Sequence, residues 1–111
     1  GKQSRCFTDV SDVVGALIKV VTHPKSIGQV FNVGSEQEIT IKTLASKIKE
    51  KTKSSSKIKY IPYDEAYESG FEDMLRRVPD LTKIGKLINY QPTQNIDQIL
   101  DKIIRYFREQ K

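Results

Sequence analysis

The sequence predicts an α/β domain of about four helices and short, mostly parallel strands. Three observations predict it. Four segments repeat apolar residues at the 3.6-residue period of a helix. Three short runs are rich in β-branched and aromatic residues. The two kinds alternate as strand, helix, strand, helix, strand through residue 61, an order that favours parallel pairing through helical crossovers.

Cys6-Phe7-Thr8-Asp9-Val10 is the weakest of the strand candidates. The first helix follows, with Ser11 as an expected cap, Asp9 and Asp12 flanking its start as capping rather than catalytic residues, and Val13, Val14, Leu17, Ile18 and Val21 as a wide apolar face. Pro24 stops it, and His23 just before the proline suits a helix C-terminus as a cation. Gln29-Val30-Phe31-Asn32-Val33 reads as a strand ended by Gly34. Thr40 then caps a second helix whose stripe is Ile41, Leu44, Ala45 and Ile48, with lysines on the opposite face. Lys53-Ser54-Ser55-Ser56 is a surface connection, and Lys57-Ile58-Lys59-Tyr60-Ile61 alternates as a strand before Pro62. Pro62 to Pro79 is acidic and aromatic without a period; a run of this length is functional or disordered, and Pro62 to Asp73 is the candidate moving segment. A short third helix has Asp80 as its cap and Ile84, Leu87 and Ile88 as its stripe. The fourth has Asn95 and Gln98 placed as a capping box, followed by Ile96, Ile99, Leu100, Ile103 and Phe107.

At 111 residues, 37% hydrophobic and 30% charged, the chain has the size and composition of one globular domain over residues 1–111. No apolar run is long enough for a membrane helix, and nothing near Gly1 resembles a signal peptide. Cys6 is alone, so an internal disulfide is excluded and the cytoplasm is the expected compartment. One cysteine and one histidine do not make a Cys/His zinc site, so no metal is expected. Net charge is +5, and it is local: Lys42 to Lys59 holds seven lysines and one acid, Glu50. Such a run attracts phosphates without sequence preference, yet no aromatic for base stacking interrupts it before Tyr60.

A complete catalytic unit is missing. There is no Gly-x-Gly-x-x-Gly, no Gly-x-x-x-x-Gly-Lys and no Tyr-x-x-x-Lys, and His23 is the only histidine available to a triad. Asp64/Glu65 and Glu72/Asp73 are neighbours in a loop with no group to fix them as an acid–base pair. The arginines carry more information. Arg5 precedes a strand, and Arg76-Arg77-Val78-Pro79-Asp80 leads into a helix. A guanidinium fork matches phosphate oxygens in pairs, while an aspartate accepts from vicinal hydroxyls or caps the helix.

Three segments carry a resemblance. Gly1-Lys2-Gln3-Ser4-Arg5-Cys6-Phe7-Thr8-Asp9-Val10-Ser11-Asp12-Val13-Val14, then Val30-Phe31-Asn32-Val33-Gly34-Ser35, then Arg76-Arg77-Val78-Pro79-Asp80 with Lys83 and Tyr90-Gln91-Pro92 stand in the order and spacing of one family. The chain resembles the C-terminal, substrate-binding portion of the extended short-chain dehydrogenase/reductases, the NAD-dependent nucleotide-sugar epimerases, 4,6-dehydratases and decarboxylases. The resemblance implies that Arg5 and Arg77 hold the substrate diphosphate, that Asp80 lies near the ribose hydroxyls, and that Gln3 lies by the nucleotide. It also implies isomerase or lyase chemistry of the UDP-glucose 4-epimerase kind in a homodimeric parent. NAD would bind in an N-terminal Rossmann half that this chain lacks, leaving the chain itself with no cofactor and no catalytic residue. Beginning at Gly1, inside the first motif, the chain reads as a fragment, expected to be inactive alone. The alternative is a non-enzymatic basic module that uses the Lys42–Lys59 surface for nucleic acid.

Overall fold

All four helical stripes fold as helices, because their signal is local: each stripe needs only its own period and a cap to start. The computed structural model describes residues 1–62 and 74–110. Its elements are β1 (Ser4–Cys6), α1 (Val10–Val21), a 3-10 turn (Pro24–Ser26), β2 (Glu38–Thr40), α2 (Ile41–Thr52), α3 (Thr82–Ile88) and α4 (Ile96–Glu109). Residues 63–73, most of the candidate moving segment, lie outside the described residues.

Two caps are as expected and three differ. Thr40 Oγ1 accepts from Thr43 N at 3.1 Å, and Asn95 with Gln98 closes a complete capping box at 2.9 Å in each direction. Asp9 caps α1 in place of Ser11; Ser11 donates to the Asp9 carboxylate through both its backbone N–H and its hydroxyl. A carboxylate with two acceptors outcompetes a hydroxyl at that position. His23 caps the 3-10 turn, where Nδ1 accepts from Lys25 N at 3.1 Å, so its ring accepts at a helix start rather than serving a helix C-terminus. Asp80 lies one residue before the N-cap of α3, Leu81, and accepts from Thr82 N at 2.9 Å.

The strands depart further from expectation. The described sheet has two strands, β1 and β2, which pair antiparallel. The pairing continues where Ile41 N donates to Gln3 O and Lys42 N donates to Gly1 O. A parallel pairing survives at one bridge, Ser4 with Arg76. Of Cys6–Val10 only Cys6 is in a strand, because the Asp9 cap turns the chain into α1. Lys57–Ile61 is exposed throughout and carries no ladder. Gln29–Val33 also has no ladder, yet it keeps the alternation of a strand: Phe31 and Val33 face inward while Val30 and Asn32 face out. A strand exists only where another chain segment supplies its hydrogen bonds, and periodicity says nothing about that partner.

The residues group into two compact units. In the first, Gly1–Arg5 and Ile39–Arg77, α2 ends at Lys53 in the left-handed conformation, φ 55°. In the second, Cys6–Glu38 and Val78–Lys111, Ala16, Leu81 and Ile84 form a core ringed by Val20, Phe31, Val33, Ile88 and Tyr90. Ile99 and Leu100 of α4 are buried as well. Asn89 ends α3 at φ 55°, a conformation asparagine tolerates better than most residues.

Candidate functional site

The two arginines singled out in the sequence are 72 positions apart and fall in the same unit. Ser4 N donates to Leu75 O at 2.8 Å, and Ser4 bridges Arg76 in parallel register. Arg5 and Arg77 each follow one of the two bridged residues by one position. Arg5 is half-buried and its Nη1 donates to Ser4 O at 2.6 Å; Arg76 and Arg77 are exposed. Gln3 belongs to the same unit, its backbone carbonyl engaged by Ile41 N at 2.9 Å.

Two neighbouring guanidinium groups repel each other, and an anion with several oxygens relieves that repulsion while filling both forks. Two guanidinium forks together suit a diphosphate better than a single carboxylate, which one fork satisfies. Asp80 lies in the second unit, exposed, its carboxyl held below the ordinary carboxylate value by the hydrogen bonds of Thr82. One of its oxygens takes the Thr82 N–H.

The second unit shows what the remaining motif residues do. Lys83 Nζ donates to Val30 O at 2.8 Å and stands 4.8 Å from the Phe31 ring centroid. The Tyr90 hydroxyl donates to Gly34 O at 2.6 Å, and burial, then the Asp12 charge, push that phenol above its ordinary value. A Cβ on Gly34 would stand 3.3 Å from Pro79 Cγ. Lys83, Tyr90, Gly34 and Pro79 therefore bind the segment around Val30–Ser35 to α3 and its flanks. Asp12 does similar work elsewhere, accepting from Thr93 N at 3.0 Å and Thr93 Oγ1 at 2.7 Å. Asp9, mostly buried, pairs with Lys102 at 3.0 Å. Ser11 and then Lys102 hold its carboxyl below the ordinary range. Sequence reasoning did not anticipate these pairings, because 93 residues separate Asp9 from Lys102 and 81 separate Asp12 from Thr93.

A cavity of about 560 Å³ opens in the second unit beside Ser35, Gln37, Thr82, Tyr90, Thr93 and Asn95. No lysine or arginine lines it, and its charged side chain is an acid, Glu36, so it does not suit a diphosphate. Among the described residues no cluster of His, Cys, Asp and Glu could hold a metal. No described helix is long and apolar enough to cross a membrane.

Residues 1–103 match the family model described as GDP-mannose 4,6 dehydratase. The chain belongs to the nucleotide-sugar epimerase/dehydratase family of extended short-chain dehydrogenase/reductases. Within this family it is 42% identical, over 98% of its own length and 34% of the relative's, to a UDP-N-acetyl-alpha-D-glucosaminuronate decarboxylase of Bacillus cytotoxicus. Among solved structures it superposes with a TM-score of 0.84 on the UDP-glucose 4-epimerase of Thermotoga maritima with UDP-glucose, at 25% identity, covering 99% of this chain and 33% of that one. The fold also matches the UDP-glucuronic acid 4-epimerase of Bacillus cereus in complex with UDP-glucuronic acid and NAD, with a TM-score of 0.82 at 20% identity, covering 100% of this chain and 34% of that one. The chain thus spans about a third of the length of these proteins.

Proposed function

We propose that this chain is the substrate-gripping third of an NAD-dependent nucleotide-sugar epimerase, dehydratase or decarboxylase, and that Arg5 and Arg77 clamp the substrate's diphosphate. The observation that supports the reading is the parallel Ser4–Arg76 bridge, which joins the two segments that carry these arginines. The names of the family members support the substrate class: they are enzymes of UDP-sugars, and two were solved with a UDP-sugar bound. Asp80, three residues after Arg77 in the chain, is proposed to accept from the ribose hydroxyls. Gln3, two residues before Arg5, is proposed to lie by the nucleotide.

The described glycines do not suit NAD. Among the described glycines, Gly15 and Gly85 lie inside helices, Gly34 is closed over by Pro79, and Gly28 ends a turn at φ 71°. None forms a glycine-rich entry into a helix of the kind a dinucleotide pyrophosphate requires. In the proposed enzyme NAD, which accepts hydride from the sugar, and the base that accompanies it belong to the other two thirds. The part played here is to bind and orient the anion.

The nucleic-acid alternative finds less support. Tyr60, the first aromatic of the Lys42–Lys59 region, has Lys42 Nζ 6.0 Å from its ring centroid, so the ammonium competes for the face a base would stack on. The deciding experiment is isothermal titration of a complete enzyme carrying this domain with UDP, UDP-glucose and UDP-glucuronate. Binding that depends on both Arg5 and Arg77 is expected; equal affinity after either is replaced by alanine rejects the clamp.

A further inference from the structure

One flank of α2 carries a row of cations. Lys42, Ser46, Lys49 and Lys53 fall at i, i+4, i+7 and i+11, so they share one side of the helix over about 16 Å. Lys53, the left-handed C-cap, turns the chain back. Tyr60 then meets the start of α2, where Lys42 Nζ stands 6.0 Å from its ring centroid. The chain from Lys53 to Tyr60 reaches about 23 Å when extended, enough to retrace the helix. That return carries Lys57 and Lys59 back toward Lys42, and residues 57–62 are exposed throughout. Tyr60 and Ile61 are each 55% exposed. All of these residues lie in the first unit. Glu50 is the one acid between Lys42 and Lys59, and Lys47 and Lys51, on the opposite flank of α2, have partners of their own.

We propose that this surface docks on an anionic lipid bilayer, with the lysines against the headgroups and Tyr60 and Ile61 entering the headgroup layer. Charge complementarity names an anionic partner, and three features select the bilayer over a nucleic acid. Every basic residue from 42 to 59 is a lysine. An ammonium is a point charge suited to the diffuse negative potential of a membrane surface, whereas phosphates recognised one by one favour the arginine fork. The Tyr60 face is shared with the Lys42 ammonium and the run holds no other aromatic, so there is no platform on which bases could stack. The row ends in exposed apolar side chains, Tyr60 and Ile61, which a phosphate backbone does not use and which the membrane interface accepts, tyrosine above all. The contact is peripheral, since no described helix is long and apolar enough to cross a bilayer. The inference rests on neither the family nor the arginine clamp.

The test is co-sedimentation of the 111-residue chain with vesicles of phosphatidylcholine alone, and of phosphatidylcholine with about one third phosphatidylglycerol. The chain should pellet with the anionic vesicles at least about tenfold more tightly than with the neutral ones, and less tightly as salt rises from about 0.1 M to about 1 M. Lys57→Glu with Lys59→Glu should weaken that binding at least about tenfold and leave the circular dichroism unchanged. Lys25→Glu with Lys86→Glu, two exposed lysines of the second unit, makes the same change in net charge and should leave the binding within about twofold. The chain has no tryptophan, so Tyr60→Trp gives a single reporter whose emission should shift to the blue with anionic vesicles. Several results would overturn the proposal: no pelleting with anionic vesicles, equal pelleting with neutral ones, the two lysine pairs weakening binding alike, or a tryptophan emission that does not move. So would a single-stranded RNA that binds the chain more tightly than the vesicles do and releases it from them.

Discussion

Asp9 illustrates how much a single residue carries. It caps α1, receives Ser11 and pairs with Lys102 of α4, and it does so while mostly buried. Its carboxyl is held below the ordinary value of 3.8. A carboxyl whose pKa is lower folded than unfolded contributes stability that is fully present above the unfolded value and is lost as pH falls through the folded one. Asp9→Asn keeps a cap acceptor and removes the charge. The stability difference between parent and variant, from urea unfolding at a series of pH values, should therefore be constant above about pH 5 and shrink on acidification below the ordinary carboxylate range. A difference that does not change between pH 6 and pH 3 would mean that the charge adds nothing to the cap. Arg77 makes a different prediction at this scale. In a complete enzyme, Arg77→Ala should weaken nucleotide-sugar binding by about 1.5–3 kcal/mol, the value of a hydrogen bond to a charged group. By calorimetry that is roughly a tenfold to hundredfold rise in Kd. A change of a few tenths would assign Arg77 to the general surface.

At the level of elements, α4 depends on its capping box. Asn95→Ala removes the acceptor for Gln98 N and should destabilise the chain by about 1 kcal/mol, read as a lower urea midpoint with an unchanged slope. That box, like Thr40 and the four stripes, was legible in the sequence because every partner lies within four residues. The strands were not. Gln29–Val33 has the composition and alternation of a strand and lacks only a neighbour, which no local pattern can report. β2 was missed because Glu38–Thr40 is only three residues long and runs straight into the α2 cap; it pairs because β1 lies against it. The candidate site divides in the same way. The residue types Arg5 and Arg77 stood out by their chemistry, whereas the bridge that joins their segments spans 72 positions and leaves no local signal. Gly34 tests the packing of its motif. Gly34→Ala would place a methyl 3.3 Å from Pro79 Cγ, tighter than ordinary contact. The expected loss is about 1–3 kcal/mol, with the helices retained by circular dichroism.

For the molecule as a whole, the proposed function is bounded by what a binding clamp can and cannot do. A clamp for a diphosphate orients a substrate; it transfers no hydride and abstracts no proton, because those steps need groups that touch the sugar. The part proposed for this chain is therefore binding. Binding itself should be weak in isolation. A site assembled from two parts loses both contacts and preorganisation when one is absent, and each immobilised long side chain then costs about 0.5–1.5 kcal/mol without compensation. The purified 111 residues, supplied with NAD and a panel of UDP-sugars, should give no NADH absorbance and no new sugar product by chromatography. They should bind UDP at best in the millimolar range by calorimetry. Any turnover would place a hydride-transfer site within these residues, where no described glycine opens a dinucleotide loop, and would move the function of Arg5 and Arg77 from gripping a substrate to serving a complete active site.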